Sequence, residues 1–243
     1  MQNKSDHTAT AVKEFSRFAH VYDQYNMIQT EVAKTLVGSL KKHHYSTVID
    51  IGCGSGAIIN NFKDKGISYD TFIAIDLSEE MLSRHPSGKN IIKVHADFST
   101  PGILKEYCGD TKALVISSSA LQWSKALDVT LSYLAKCGSL SHFAIFTSNT
   151  FKTLHQTADI RSPIYSEEFL KESIKKYYSA SFYTKAYQLE FKNTREIFRY
   201  IQKSGVSGGK RQLDYKQMKR VMEEYPLPYL EFEVLFVEAI PLW

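Results

Sequence analysis

Val48-Ile49-Asp50-Ile51-Gly52-Cys53-Gly54-Ser55-Gly56 decides the architecture of this chain. Its first four residues read as a buried strand. Glycines then stand at alternate positions, where a strand turns sharply into a helix and the backbone comes close to a ligand. The helix expected over Ala57–Lys65 offers free N–H groups to that turn, which suits an anion such as a carboxylate. Outward from this point the rhythm repeats. Strands are expected at 71–76, 90–95, 113–118 and 142–147, with helices opening at Ser78 and Ala126. Ser78 reads as an N-cap over Glu79 and Glu80, and Gly138 stops the helix begun at Ala126. Strands alternating with helices of about ten residues imply right-handed βαβ units and a Rossmann-like α/β fold with a parallel sheet.

Upstream, Thr10–Lys41 reads as a helix, with Phe15, Phe18, Ala19 and Tyr22 at spacings of three and four. After Thr150 the pattern changes. An irregular helical stretch runs to Tyr178, broken near Arg161-Ser162-Pro163. A strand follows over Ser181–Phe191, then helices over Thr194–Lys203 and Asp214–Glu224, and a long alternating strand over Tyr229–Ile240. One domain over residues 1–243 is expected: a cap helix at 10–41, a ligand-binding core at 45–147, an insertion at 150–180, and closing strands and helices at 181–243.

The 243 residues are 43% hydrophobic and 23% charged, which excludes wholesale disorder. No apolar run approaches the ~20 residues of a membrane helix. The polar opening MQNKSDHTATAVK lacks a signal-peptide core, so a cytoplasmic location is expected. The three widely spaced cysteines, Cys53, Cys108 and Cys137, argue against a disulfide framework and against a zinc site, and no metal is expected. A net charge of +4 is too small to imply a nucleic-acid partner. A monomer is expected.

Asp76 ends the second strand about twenty residues beyond Gly56, where a carboxylate accepts both hydroxyls of a ribose. Gly52-x-Gly54-x-x-Ala57 also satisfies the dinucleotide pattern, so NAD is an alternative. Asp50 weighs against it: a negative charge two residues before the first glycine opposes a pyrophosphate, and favours the ammonium of S-adenosylmethionine. Asp97-Phe98, after the third strand, pairs an acceptor for an adenine amino group with a ring to pack on the base.

Together, Asp50-x-Gly52-x-Gly54-x-Gly56, Asp76 and Asp97-Phe98 resemble the class I S-adenosylmethionine-dependent methyltransferases. The resemblance implies a seven-stranded sheet in the order 3-2-1-4-5-7-6, its last strand antiparallel. It also implies S-adenosylmethionine as co-substrate. Asp50, Gly52, Cys53, Gly54 and Gly56 would form the cradle, Asp76, Leu77 and Met81 the ribose side, and Asp97 and Phe98 the adenine side. Tyr22, Gln29 and Ser118 would complete the cofactor site.

Four further segments resemble the malonyl-acyl-carrier-protein O-methyltransferases of biotin synthesis. They are Phe15–Tyr25 with Gln29, Ser119-Ala120-Leu121-Gln122-Trp123, Thr153-Leu154-His155-Gln156, and Ile201-Gln202-Lys203-Ser204-Gly205-Val206. Departures from that pattern are Ser118 in place of Asn, Ser55 in place of Pro, and Ser204 and Val206 in place of Ile and Ala. This second resemblance implies methyl transfer to the free carboxylate of a malonyl thioester, carried by acyl carrier protein or by coenzyme A.

Tyr22 would then lie over the methionine and the acceptor, Gln122 and Trp123 would wall the acceptor site, and His155 would contact the acyl group. Arg161 is the first choice for a cation holding the carboxylate, followed by Arg17 and Arg211. Lys203, Lys210, Arg211, Lys216, Lys219 and Arg220 form a basic region suited to an acidic carrier protein. Two other readings stay open: a methyltransferase of a quinone precursor or free dicarboxylate, and a S-adenosylmethionine- or nucleotide-binding module without catalysis. Ser118-Ser119-Ala120-Leu121 offers no Asn/Asp-Pro-Pro-Tyr-like motif, which argues against an RNA methyltransferase.

Overall fold

A computed structural model describes residues 26–100, 102–108, 113–203 and 213–242. Helix α1 (Met27–Gly38) precedes β1 (His44–Ile51), α2 (Ala57–Asp64), β2 (Ser68–Asp76), α3 (Glu79–Arg84) and β3 (Ile91–His95). Then come β4 (Leu114–Ser118), α4 (Leu127–Leu134), β5 (Leu140–Phe146), α5 (Lys152–Thr157) and α6 (Glu167–Lys175). The chain closes with β6 (Tyr178–Glu190), α7 (Thr194–Lys203), α8 (Tyr215–Glu224) and β7 (Tyr229–Pro241). Short 3-10 turns at Ile103–Glu106 and Leu121–Trp123 flank β4.

The seven strands lie in the order β3-β2-β1-β4-β5-β7-β6, as the family resemblance implies. β1 pairs in parallel with β2 and β4, and β7 pairs antiparallel with both β5 and β6. The central strands are apolar on both faces because helices cover both. Val48, Phe72, Leu114 and Ile116 pack on one side with α1 and α2. Ile49, Ile51, Ile73, Ile75, Val115 and Phe143 pack on the other with α4 and α6. Truncating such a side chain, Ile116 for example, removes apolar contacts worth about 2–5 kcal/mol.

Local signals set the helix ends. Ser78 accepts the Met81 N–H at 3.2 Å, as expected of the N-cap. Asp214 and Gln217 form a reciprocal capping box before α8. Strand boundaries extend beyond the expected ones, to Ser68 in β2 and Tyr178 in β6, because polar residues continue the ladder where one sheet face is solvated.

One expectation is corrected. Cys108 and Cys137 form a disulfide, with Cα atoms 4.1 Å apart, and Cys53 stays a buried free thiol. The pairing follows from topology. β4 and β5 are parallel neighbours, with Leu114 opposite Leu140, so the segments entering them converge at one end of the sheet. Of the helix expected over Thr10–Lys41, Met27–Gly38 forms α1, and the part over residues 10–25, like the loop 204–209, lies outside the described residues.

Candidate active site

The cleft opens where β1, β2, β3 and β4 end, the position at which open α/β sheets bind ligands. The glycine turn sits at its base. Gly52 N–H and Cys53 N–H both donate to the Ile75 carbonyl, at 2.8 and 3.0 Å, which ties the turn to the end of β2. Gly52 has φ +69°, and a Cβ there would overlap the Ala120 methyl. Gly56 has φ +97°, and its missing side chain leaves room for Pro86 and His85. These two positions require glycine; Gly56 serves packing and is not among the residues lining the cleft.

Asp76 organises the turn. Its Oδ2 accepts the Gly54 N–H and its Oδ1 the Ser78 N–H, both at 2.8 Å. Burial raises its pKa, and these backbone donors oppose the rise. Asp50 differs. It is 1% exposed, and among the described residues neither carboxylate oxygen has a hydrogen-bond partner. Burial, reinforced by the neighbouring Asp76 carboxylate, pushes its pKa well above the usual range. The Cys53 thiol is pushed up by burial and then by Asp50. An orphaned buried carboxylate facing a cleft is a strong demand for a cationic ligand.

The opposite wall comes from the ends of β3 and β4. Asp97 accepts the Ser99 N–H at 2.9 Å and pairs with Lys125 at 3.0 Å, with Phe98 beside it. Ser118, Ser119, Ala120 and Trp123 line the cleft after β4. Ser119 has φ +62°, a strained conformation for a residue with a side chain. Its N–H bond to the Ala144 carbonyl, 2.8 Å, holds it there.

The structure thus brings Gln29, Asp50, Gly52, Cys53, Gly54, Asp76, Leu77, Met81, Asp97, Phe98, Ser118 and Trp123 together in one cleft. Three expected acceptor residues stand elsewhere. Gln122 is buried and turns its amide back to the Ser119 carbonyl at 2.7 Å. Arg161 is exposed and outside the cleft lining. His155 packs on Phe151, away from the lining, and burial pushes its pKa down to about 4. Tyr22, Arg17 and Arg211 lie outside the described residues. Asn26, Thr30, Ser55, Ala57, Ile58, Ser78, Ser119 and Ala120 line the cleft although the sequence did not single them out for it. For Asn26 and Thr30 a signal existed: Asn26 lies one turn before Gln29 and Thr30 directly follows it at the same helix entry.

These residues fit S-adenosylmethionine. Asp50 would meet the positive charge, Asp76 keeps lone pairs for ribose hydroxyls, and Phe98, Leu77 and Met81 offer apolar surface to adenine. No lysine or arginine lines the cleft among the described residues, which leaves a pyrophosphate facing Asp50 and Asp76 without a cation. Among the described residues no group of three or more His, Cys, Asp or Glu could hold a metal, and no helix is long and apolar enough to cross a membrane.

The fold and the cleft resemble those of class I S-adenosylmethionine-dependent methyltransferases, and residues 49–138 match the methyltransferase domain family. More particularly, the chain is similar to malonyl-acyl-carrier-protein O-methyltransferases. It is 30% identical to that of Bacillus cytotoxicus over 156 residues, 59% of this chain and 52% of that protein. It is 31% identical to that of Hamiltonella defensa over 150 residues, 58% of this chain and 54% of that protein. The match spans about half the length of these curated relatives.

The fold is shared more widely. Magnesium protoporphyrin IX methyltransferase from Synechocystis, solved with S-adenosylhomocysteine, superposes with a TM-score of 0.55 at 13% identity, covering 96% of each chain. The YcgJ protein from Bacillus subtilis gives 0.63 at 8% identity, covering 86% of this chain and 98% of that one.

Proposed function

We propose that this protein methylates the free carboxylate of a malonyl thioester borne by an acyl carrier protein, giving the methyl ester. The observation that carries this reading is the placement of the Ser119–Trp123 segment. It lies against the cofactor cleft, with Ala120 and Trp123 in its wall, and it is the segment that resembles the malonyl-specific enzymes. The names of the relatives support the same substrate.

When bound, S-adenosylmethionine supplies an electrophilic methyl group to an oxygen nucleophile. A malonyl carboxylate, with a pKa near the ~4 of ordinary carboxylates, is already ionised at neutral pH. No side chain has to remove a proton, and none is assigned that task. The chain must instead orient and exclude water, and orientation supplies roughly 7–11 kcal/mol. Asp50 would hold the cationic end, Asp76 the ribose and Asp97 the adenine. Ala120 and Trp123 give the acceptor a low-dielectric wall, which favours neutralisation of opposite charges. With Arg161 outside the cleft, the cation for the acceptor carboxylate is assigned to Arg17 or Arg211.

The carrier would dock on the basic C-terminal region. On α8, Lys219 pairs with Glu223 at 3.8 Å and Arg220 with Glu224 at 2.8 Å. Much of that helix's charge is therefore offset, and the docking charge is assigned to Lys210 and Arg211.

The test is incubation with labelled S-adenosylmethionine and malonyl-, succinyl- or unacylated carrier protein. A base-labile ester on the malonyl form alone is expected. Label on none of the three, but on a quinone precursor or a free dicarboxylate, overturns the substrate assignment.

A further inference from the structure

We propose that Lys125 is a positioning residue for the adenine end of the cleft, fixing the Asp97 carboxylate and thereby the preference for a base bearing an amino group. The inference rests on the reading that adenine lies at Asp97 and Phe98.

Asp97 stands in the loop after β3, and Lys125 two residues after the Leu121–Trp123 turn, so the pair ties together the two segments that build one wall of the cleft. Lys125 Nζ reaches Asp97 Oδ2 at 3.0 Å, while Oδ1 takes the Ser99 N–H at 2.9 Å. Each carboxylate oxygen is thus held by one donor and keeps lone-pair capacity for a ligand hydrogen. The Asp97 side chain is 18% exposed and that of Lys125 39%, so the carboxylate is the shielded end of the pair.

The neighbouring residue reinforces the bridge. Ser124 Oγ lies 3.5 Å from Ser99 Oγ and 2.8 Å from Thr130 Oγ1, and the Ser124 carbonyl accepts the Tyr165 hydroxyl at 3.0 Å. Lys125 therefore projects from an anchored stretch of backbone. Electrostatics points the same way. Asp50 and Asp76 already bring two carboxylates to the cleft. A third, untethered, would turn towards water and away from the base. Lys125 cancels that charge and leaves Asp97 as a directional acceptor, which rewards an amino group and disfavours an oxo group at the same ring position.

The test is equilibrium binding of S-adenosylhomocysteine and its deaminated analogue S-inosylhomocysteine to the wild type, K125M, K125R and D97N. K125M is expected to weaken S-adenosylhomocysteine about fivefold, and to move the inosyl analogue by less than about twofold. Selectivity between the two therefore narrows. The salt dependence of wild-type affinity should flatten in K125M, and K125R should restore it. Unchanged or tighter binding by K125M, or equal losses for both ligands, overturns the inference. D97N separates the two levels. If D97N binds S-adenosylhomocysteine as the wild type does, the adenine placement is wrong. If D97N weakens it and K125M does not, the placement stands and the role of Lys125 fails.

Discussion

The two halves of the sheet are organised by different means. On the side of β1 to β4, the site is set by residues close in sequence. One turn of five residues, a carboxylate at the end of β2 and another after β3 define the cofactor cleft. On the side of β5 to β7, geometry depends on partners some eighty residues apart. Glu233 of β7 accepts Thr147 Oγ1 at 2.5 Å and Asn149 Nδ2 at 2.9 Å. Glu231 accepts the Thr153 N–H at 2.8 Å, holding the first turn of α5. The first half is fixed by backbone shape and buried charge. The second is fixed by a polar seam that orders the insertion, and the two should respond differently to substitution.

The sharpest separation is expected at Gly52. G52A forces a side chain into φ +69° and onto Ala120, at a cost of about 3 kcal/mol in urea unfolding. The double variant G52A/A120G removes the overlap and should recover most of that loss, leaving only about 1–2 kcal/mol of backbone strain. No recovery would mean that the turn, and not its contact with Ala120, sets the cost.

Asp50 is next. D50N should weaken S-adenosylmethionine binding on the order of 100-fold, the loss of a charge-assisted contact of about 2–3 kcal/mol. Calorimetry measures it directly. Its effect on the ligand-free protein has the opposite sign. The folded pKa of Asp50 lies above its unfolded value, so the folded chain pays for ionisation as pH rises through that interval. D50N should raise the ligand-free Tm, and its advantage over the wild type should grow as the pH rises above the ordinary carboxylate range. A lower Tm in D50N would break the contrast between the halves.

On the other half, E233A should cost about 1–2 kcal/mol of stability. It should raise the acceptor KM while leaving S-adenosylhomocysteine affinity within about twofold. Equal losses on both ligands would show that the polar seam and the cofactor turn are one unit.

The smallest effect is expected at His155. Burial holds it neutral, with a pKa down to about 4. Its folded pKa is below the unfolded value of about 6.5. The stability it contributes is present above the unfolded pKa and is lost as pH falls towards the folded one. A thermal series across that interval should show a downward slope that H155Q flattens, with cofactor affinity at neutral pH unchanged.

What the sequence disclosed follows the same division. The turn at Gly52, Asp76, the Ser78 cap and all seven strands were legible because each is signalled by residues within a few positions. The placement of Arg161 and His155 was not. Resemblance gave them roles, but whether either side chain reaches the cleft depends on how α5 packs against β7 and α8, which no local pattern encodes. Gln122 is instructive. It sits in the expected segment, yet its amide satisfies the Ser119 carbonyl across one tight turn. The strained Ser119 was equally hidden, since a positive φ at serine comes from the long-range bond to Ala144. The Lys125–Asp97 pair needed the strand order before its partners could be seen to meet.

The Cys108–Cys137 bond makes a closed ring of the polypeptide, with a sequence separation of 29. That ring contains β4, the strained serine, Trp123 and Lys125, and so most of one wall. On a chain-entropy account such a cross-link withholds about 3–4 kcal/mol of freedom from the unfolded chain. The thiol–disulfide balance of the surroundings thereby becomes a thermodynamic input to this wall: reductants loosen it without touching a ligand contact, and oxidants stiffen it.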